Sequence, residues 1–162
     1  MGRTFVTITE GNIGNEVGFW MRDPMLELWL RLLSLHLPDP DVTGHNRAAA
    51  EIRNRWLLAS RGYFNGCVPH DMEYACATAE GCHVVRHAVN SLVNVLDHND
   101  APLDANTLNL LGIEGMQFVS IERERLRDIG RAFLDLLDGK ITATASSTDI
   151  MPGSKPYFPN ST

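Results

Sequence analysis

The sequence contains few cysteines and no long hydrophobic run. Three cysteines cannot all pair within one chain, and 162 residues are enough to fold around a core without disulfides. The most apolar stretch, PMLELWLRLLSLHL from Pro24, covers 14 residues and contains Glu27 and Arg31, whereas a membrane-spanning helix needs about 20 apolar residues. Residues 1–11 lack the basic and apolar segments of a secretory signal. We therefore expect a cytoplasmic protein with no membrane segment, in which this stretch forms a buried helix.

Positive charge is also scarce, and it is not gathered in one part of the chain. Lys and Arg total 14 against 20 Asp and Glu, so the formal net charge is −6. The arginines are scattered between Arg3 and Arg131 without a basic run. Because such a surface repels a phosphate backbone, we do not expect nucleic acid as a partner. The negative charge instead favours a protein partner of basic character.

Several motifs of catalysis and cofactor binding are missing. The sequence has no G-x-S-x-G, no P-loop and no G-x-G-x-x-G. The zinc-protease pattern H-E-x-x-H is absent, and EGCH at residues 80–83 is the only Glu-x-x-His, whereas a di-iron bundle needs two. We therefore predict no cofactor, and the balance of motifs is against an enzyme.

Hydrophobic spacing predicts an all-α protein. We expect a compact bundle of four to five helices, with a minor two-stranded β element formed by the terminal segments RTFVTITE and KITATAS (residues 140–146). From Asn15 the pattern is helical, and Gly130 suggests a close helix approach, within the chain or across a dimer. Further helices are expected at 24–37, 45–61, 70–99, 104–112 and 116–139.

The chain is predicted to form one domain. No internal repeat occurs, and the composition changes only near the C-terminus. Residues 1–146 form the single helical domain of this prediction. Residues 147–162 are rich in Pro, Ser, Thr and Gly, which predicts an extended or disordered tail. The core face of the last helix is expected to carry Leu126, Ile129, Phe133 and Leu136.

A polar stripe marks the helix predicted at 70–99. Residues spaced by three or four lie on one face of a helix, while the opposite face here is apolar and suits the core. We predict this stripe to be a binding surface. Its candidate residues are Glu73, Glu80, His83, His87, Asn90 and Asn94.

Two alternative sites use the same region. His83 and His87 are one helical turn apart, and together with Glu80 they have the spacing to hold a divalent metal ion. That site would make the protein a metal-dependent enzyme or a ligand-binding bundle. Cys67 and His70 form a second candidate, a reactive thiol beside a histidine base.

The interpretation that the sequence favours is protein–protein binding. The protein would act as an adaptor, an inhibitor or a neutralising partner through the polar stripe of the helix predicted at 70–99. A homo-oligomer formed through the Leu- and Trp-rich helix at 24–37 is compatible with this function. Metal binding through Glu80, His83 and His87 is the alternative.

Overall fold

Two short strands and five α-helices make up the described part of the chain. The structure is a computed structural model that describes residues 2–9, 15–38, 47–61, 66–98 and 121–154. The predicted dominance of helix and the two-stranded sheet are confirmed, while the helix predicted at 104–112 lies outside the described residues. The elements are β1 (Arg3–Thr7), β2 (Gly18–Arg22), α1 (Asp23–Leu35), α2 (Arg47–Ala59), α3 (Met72–Ala75), α4 (Ala79–Asp97), α5 (Arg123–Leu137) and a 3₁₀-helix at Pro152–Ser154.

The sheet joins two segments that are close in sequence rather than the two ends of the chain. β1 pairs antiparallel with β2 over the full length of both strands. The predicted pairing of residues 140–146 with the first strand is therefore wrong. The C-terminal chain lies instead along the other edge of β2. There the N–H of Gly18 donates to the carbonyl of Ala143 at 2.9 Å, and the N–H of Met151 donates to the carbonyl of Trp20 at 3.0 Å.

The segment predicted to be helical from Asn15 contains strand β2, so this prediction is corrected. Phe19 and Met21 are buried, whereas Trp20 and Arg22 are half-buried. This alternation is the two-residue period of a strand with one face on the core. A strand of five residues is too short for apolar spacing alone to separate it from a helix.

Helix α1 lies at the centre of the core. Pro24 is in its first turn, where the missing N–H of proline costs no hydrogen bond. Apolar side chains on most sides of the helix are fully buried, among them Leu26, Trp29 and Leu33. Even the polar Glu27 is only 3% exposed. The prediction of a buried helix is confirmed.

Helices α4 and α5 pack against each other and against α1. A Cβ atom at Gly130 would overlap Cγ2 of Val93 and would lie 3.3 Å from the Trp29 ring, so the approach of these helices requires a glycine here. The close approach that Gly130 suggested therefore lies within the chain. The predicted core face of α5 is confirmed, because all four of its residues are buried: Leu126, Ile129, Phe133 and Leu136.

The long helix predicted at 70–99 is interrupted. It consists of α3 and α4, which residues 76–78 connect. The hydroxyl of Thr78 accepts a hydrogen bond from the N–H of Gly81 at 3.0 Å and caps the new helix. A Cβ atom at Gly81 would overlap the carbonyl oxygen of Ala75, so this glycine allows the two helices to touch. The polar stripe is consequently divided between two helices.

The chain after α5 returns to the sheet. The indole N–H of Trp20 donates to the carbonyl of Ala145 at 2.8 Å, and Met151 and Ser154 are buried. Residues 147–154, which composition assigned to an extended or disordered tail, thus pack against the body of the protein. Residues 155–162 of that tail lie outside the described residues.

Candidate functional site

A groove lies between helix α2 and the pair α3 and α4. Its first lobe, of about 310 Å³, is lined by Arg47 and Glu80 near the N-terminal ends of α2 and α4. The second lobe, of about 510 Å³, is lined by the exposed Leu58 and the residues around it. Glu51 and Tyr74 line both lobes. We call the two lobes together the Tyr74 groove.

Two neighbours hold the side chain of Tyr74 in one position, although it is 48% exposed. Its hydroxyl donates a hydrogen bond to Oε2 of Glu51 at 3.1 Å. The guanidinium carbon of Arg55 lies 3.8 Å from the centre of the ring, whose electrons attract the positive charge. Arg55 is in turn fixed by an ion pair of 3.0 Å with Asp71. The groove therefore presents an aromatic ring that is both exposed and positioned.

The groove follows from spacing along α2 and from the turn before α3. Arg47, Glu51 and Arg55 are four residues apart, which places them on one face of the helix. Asp71 has a φ of 51°, a left-handed conformation that aspartate adopts more readily than most residues, and it precedes α3 directly. The cluster around Tyr74 is not among the sites predicted from the sequence. The four-residue spacing on α2 was the available signal.

The charges of the groove are paired with one exception. Nε of Arg47 lies 3.7 Å from Oε1 of Glu51, and Arg55 is paired with Asp71. Glu80 is exposed in the first turn of α4, where the helix dipole favours a negative charge. Among the described residues it makes no ion pair. The Tyr74 groove thus ends in one carboxylate that is available to a cation.

Five of the six residues of the predicted stripe share the exposed face of α4. Because Glu80 also lines the groove, the stripe and the groove meet at this residue. Glu73 is separate: it lies on α3, where its Oε2 is 3.8 Å from Nδ1 of His70. We call the remaining residues the α4 stripe, and all of them are exposed: Glu80, His83, His87, Asn90 and Asn94.

The structure does not bring the proposed metal ligands together as a cluster. In the described ranges, no group of three or more His, Cys, Asp or Glu side chains is arranged to hold a metal ion. Glu80, His83 and His87 share a helix face without forming a three-ligand site. A divalent metal there stays a prediction.

The proposed pair of Cys67 and His70 differs in exposure and in bonding. Cys67 is exposed, whereas His70 is 5% exposed. Nδ1 of His70 accepts the N–H of Met72 at 3.1 Å, so its Nε2–H donates to the carbonyl of Phe5, also at 3.1 Å. Burial lowers the pKa of His70, which keeps the ring neutral. Since both ring nitrogens are occupied, His70 connects β1 to the segment before α3 and has no free nitrogen to activate a thiol.

No helix among the described residues is long and apolar enough to cross a membrane. Comparisons with protein-family models, with curated proteins and with solved structures give no match to this chain.

Proposed function

We propose that this protein acts by binding another protein, as an adaptor, an inhibitor or a neutralising partner, and that it receives a segment of that partner in the Tyr74 groove. The observation that carries the proposal is the exposed ring of Tyr74, which Glu51 and Arg55 hold in one position. Tyrosine and arginine are enriched among the residues that dominate binding energy at protein interfaces. A side chain that is already fixed also loses little conformational entropy when a partner binds.

The walls of the groove suit a peptide segment that combines an apolar and a basic side chain. Leu58 is 53% exposed beside the second lobe and offers an apolar contact. Glu80 offers a carboxylate that no described cation neutralises. The formal charge of −6 adds a long-range attraction for a basic partner. The α4 stripe, which begins at Glu80, extends the surface that such a partner would cover.

The experiment starts from random peptides displayed on phage and selected on the purified protein. Peptides that bind are then titrated by calorimetry against the wild type, Tyr74→Ala and Glu80→Gln, with Asp135→Asn as a control at an exposed position of α5, outside both the groove and the α4 stripe. We expect selected peptides to combine Lys or Arg with an apolar residue. Tyr74→Ala should weaken their binding by about tenfold or more. Glu80→Gln should weaken it less and reduce its dependence on salt, because salt screens the lost charge pair.

Three results would count against this proposal. Peptides that bind the wild type and Tyr74→Ala equally well would show that the binding surface lies outside the groove. Selected peptides without basic residues would show that Glu80 does not recognise a basic side chain of the partner. A concentration-dependent mass of the wild type that Tyr74→Ala abolishes would show that the groove serves self-association instead.

A further inference from the structure

Two of the three cysteines lie together at the connection between α3 and α4. Cys76 is the residue that ends α3, and Cys82 lies in the first turn of α4. The side chains of these two residues interact with each other, and neither is in a disulfide. Both are half-buried, whereas Cys67 is exposed. Two interacting thiols can react with each other, whereas a single cysteine that packs in a core has no such neighbour.

The backbone explains why two residues six positions apart are neighbours. The carbonyl of Ala75 occupies the space where a Cβ atom of Gly81 would lie. At the start of α4, the carbonyl of Thr78 accepts the N–H of Cys82 at 3.0 Å. Cys76 directly follows Ala75 in the chain, and Cys82 directly follows Gly81. The contact between Ala75 and Gly81 therefore brings together the two backbone segments that carry Cys76 and Cys82.

We propose that Cys76 and Cys82 form a reversible intramolecular disulfide when the protein meets a peroxide. In the first step, the thiolate of Cys82 attacks one oxygen of hydrogen peroxide and becomes a sulfenic acid, while the other oxygen leaves as hydroxide and takes up a proton from solvent to become water. In the second step, the sulfur of Cys76 displaces the hydroxyl group from Cys82. The proton of the Cys76 thiol leaves with that hydroxyl as a second water. The two sulfurs are oxidised by two electrons in total, and the peroxide is reduced by two.

The environment of Cys76 supports its place in the second step. Burial and the neighbouring Cys82 raise the pKa of Cys76 to about 12, so this sulfur stays a thiol at neutral pH. A thiol reacts poorly with peroxide compared with a thiolate. The reaction with peroxide is therefore assigned to Cys82 rather than to Cys76.

The disulfide would act on the wall of the Tyr74 groove. Ala75, Thr78 and Gly81 line the first lobe and surround the two cysteines in the chain. A bond across this connection would fix α3, which carries Tyr74, against the start of α4. This consequence rests on the proposed function, whereas the disulfide itself does not.

The test treats the reduced full-length protein with hydrogen peroxide and then alkylates the remaining thiols. We expect a loss of two hydrogen masses, one alkylated thiol at Cys67, a linked peptide that contains Cys76 and Cys82, and full reversal by dithiothreitol. Cys67→Ala should still form the bond, while Cys76→Ala and Cys82→Ala should not. Circular dichroism checks that each variant is folded, and peptide mapping of the wild type tests the pairing without any substitution.

The possible products separate the outcomes. A linked peptide with Cys67, oxygen added at Cys76 or Cys82 without a link, or two unreacted thiols in this pair would each overturn the disulfide. The titration with selected peptides is then repeated on the oxidised protein, where we expect their affinity to change by about fivefold or more, the lower end of typical coupling between sites. An unchanged affinity in a protein with the mapped disulfide would overturn only the link to the groove.

Discussion

The guanidinium carbon of Arg55 lies 3.8 Å from the centre of the Tyr74 ring, although the two residues belong to different helices. Asp71 holds Arg55 from one side at 3.0 Å, and Glu51 accepts the hydroxyl hydrogen of Tyr74 at 3.1 Å. The ring is thus fixed by charges that stay in contact with water. Such contacts set the position of a side chain more than they stabilise the fold, because exposed ion pairs contribute little to stability.

The first prediction separates positioning from stability. Arg55→Ala should increase the motion of the Tyr74 ring, measured by carbon relaxation of labelled tyrosine, while urea unfolding changes little. Arg131→Ala is the control, because Arg131 is also exposed and paired, with Asp128 at 2.9 Å on α5. A ring that stays equally rigid without Arg55 would assign its position to Glu51 alone.

A second prediction concerns the contact between α4 and α5. Gly130→Ala should destabilise the protein by about 1–3 kcal/mol, because the added methyl group overlaps Val93 in a packed core. Helix propensity alone predicts the opposite sign, a gain of about 1 kcal/mol. Denaturant unfolding decides between the two.

The matched control for Gly130→Ala removes the neighbour that the methyl group would meet. In the double variant with Val93→Ala, part of the loss should be recovered, which a double-mutant cycle measures as a coupling energy. If the two losses simply add, the overlap lies elsewhere and the packing described for Gly130 and Val93 is wrong.

Much of the helical architecture was predictable, because it depends on spacing within one element. The core positions of α5, such as Phe133, repeat every three or four residues, and this period is visible over a helix of 15 residues. The same argument identified α1 as buried and placed His83 and His87 on an exposed face of α4.

The corrected elements are those that a short window cannot resolve. Strand β2 has five residues, and its partner is chosen by contacts with β1 rather than by its own pattern. The break between α3 and α4 depends on the capping hydroxyl of Thr78, which competes with a continuous helix. Composition likewise could not show that Met151 is buried against the body of the protein.

The groove was harder to predict than the helices that form it. Tyr74 acquires its role from Arg55 and Glu51 on another helix, and no spacing within residues 70–99 contains that information. Glu80 was identified from the sequence, and it belongs to both the α4 stripe and the Tyr74 groove. The predicted pairing of Cys67 with His70 rested on proximity in sequence, and it omitted the backbone groups that occupy both nitrogens of His70.

A third prediction follows from the neutral state of His70. Because burial lowers its pKa in the folded protein, the unfolded chain takes up a proton first as the pH falls below about 6.5. The stability that His70 contributes is therefore present above that pH and is lost on acidification. His70→Gln should be less stable at pH 8 by about 1–3 kcal/mol, since buried hydrogen bonds are lost.

The pH dependence distinguishes His70 from a residue that only fills space. Urea unfolding of His70→Gln should vary less between pH 5 and pH 7 than that of the wild type. His87→Gln, at an exposed position of the α4 stripe, should keep the wild-type dependence. Parallel curves for the wild type and His70→Gln would mean that burial does not lower the pKa of His70 in the folded protein.

The last prediction concerns Glu27, whose contribution has the opposite sign. Glu27 is 3% exposed on α1, and its Oε2 has no hydrogen-bond partner among the residues that the structure describes. Burial, with a smaller effect of the Asp23 charge, raises its pKa from 4.5 to about 7. Between these two values the folded protein holds a proton that the unfolded chain has lost, so stability falls as the pH rises through this range. Above pH 7 the folded protein carries an unfavourable buried charge.

Glu27→Gln removes that charge while it keeps the shape of the side chain. From pH 5 to pH 8, the unfolding free energy of this variant should rise relative to the wild type by about 1–2 kcal/mol, less than the full pKa shift implies because the surrounding protein relaxes around the buried charge. Asp135→Asn, at an exposed position of α5, should show no such change. A constant difference between Glu27→Gln and the wild type would mean that the carboxylate ionises as it does in water. Solvent or a cation would then have to reach the centre of α1, where the surrounding leucines are fully buried.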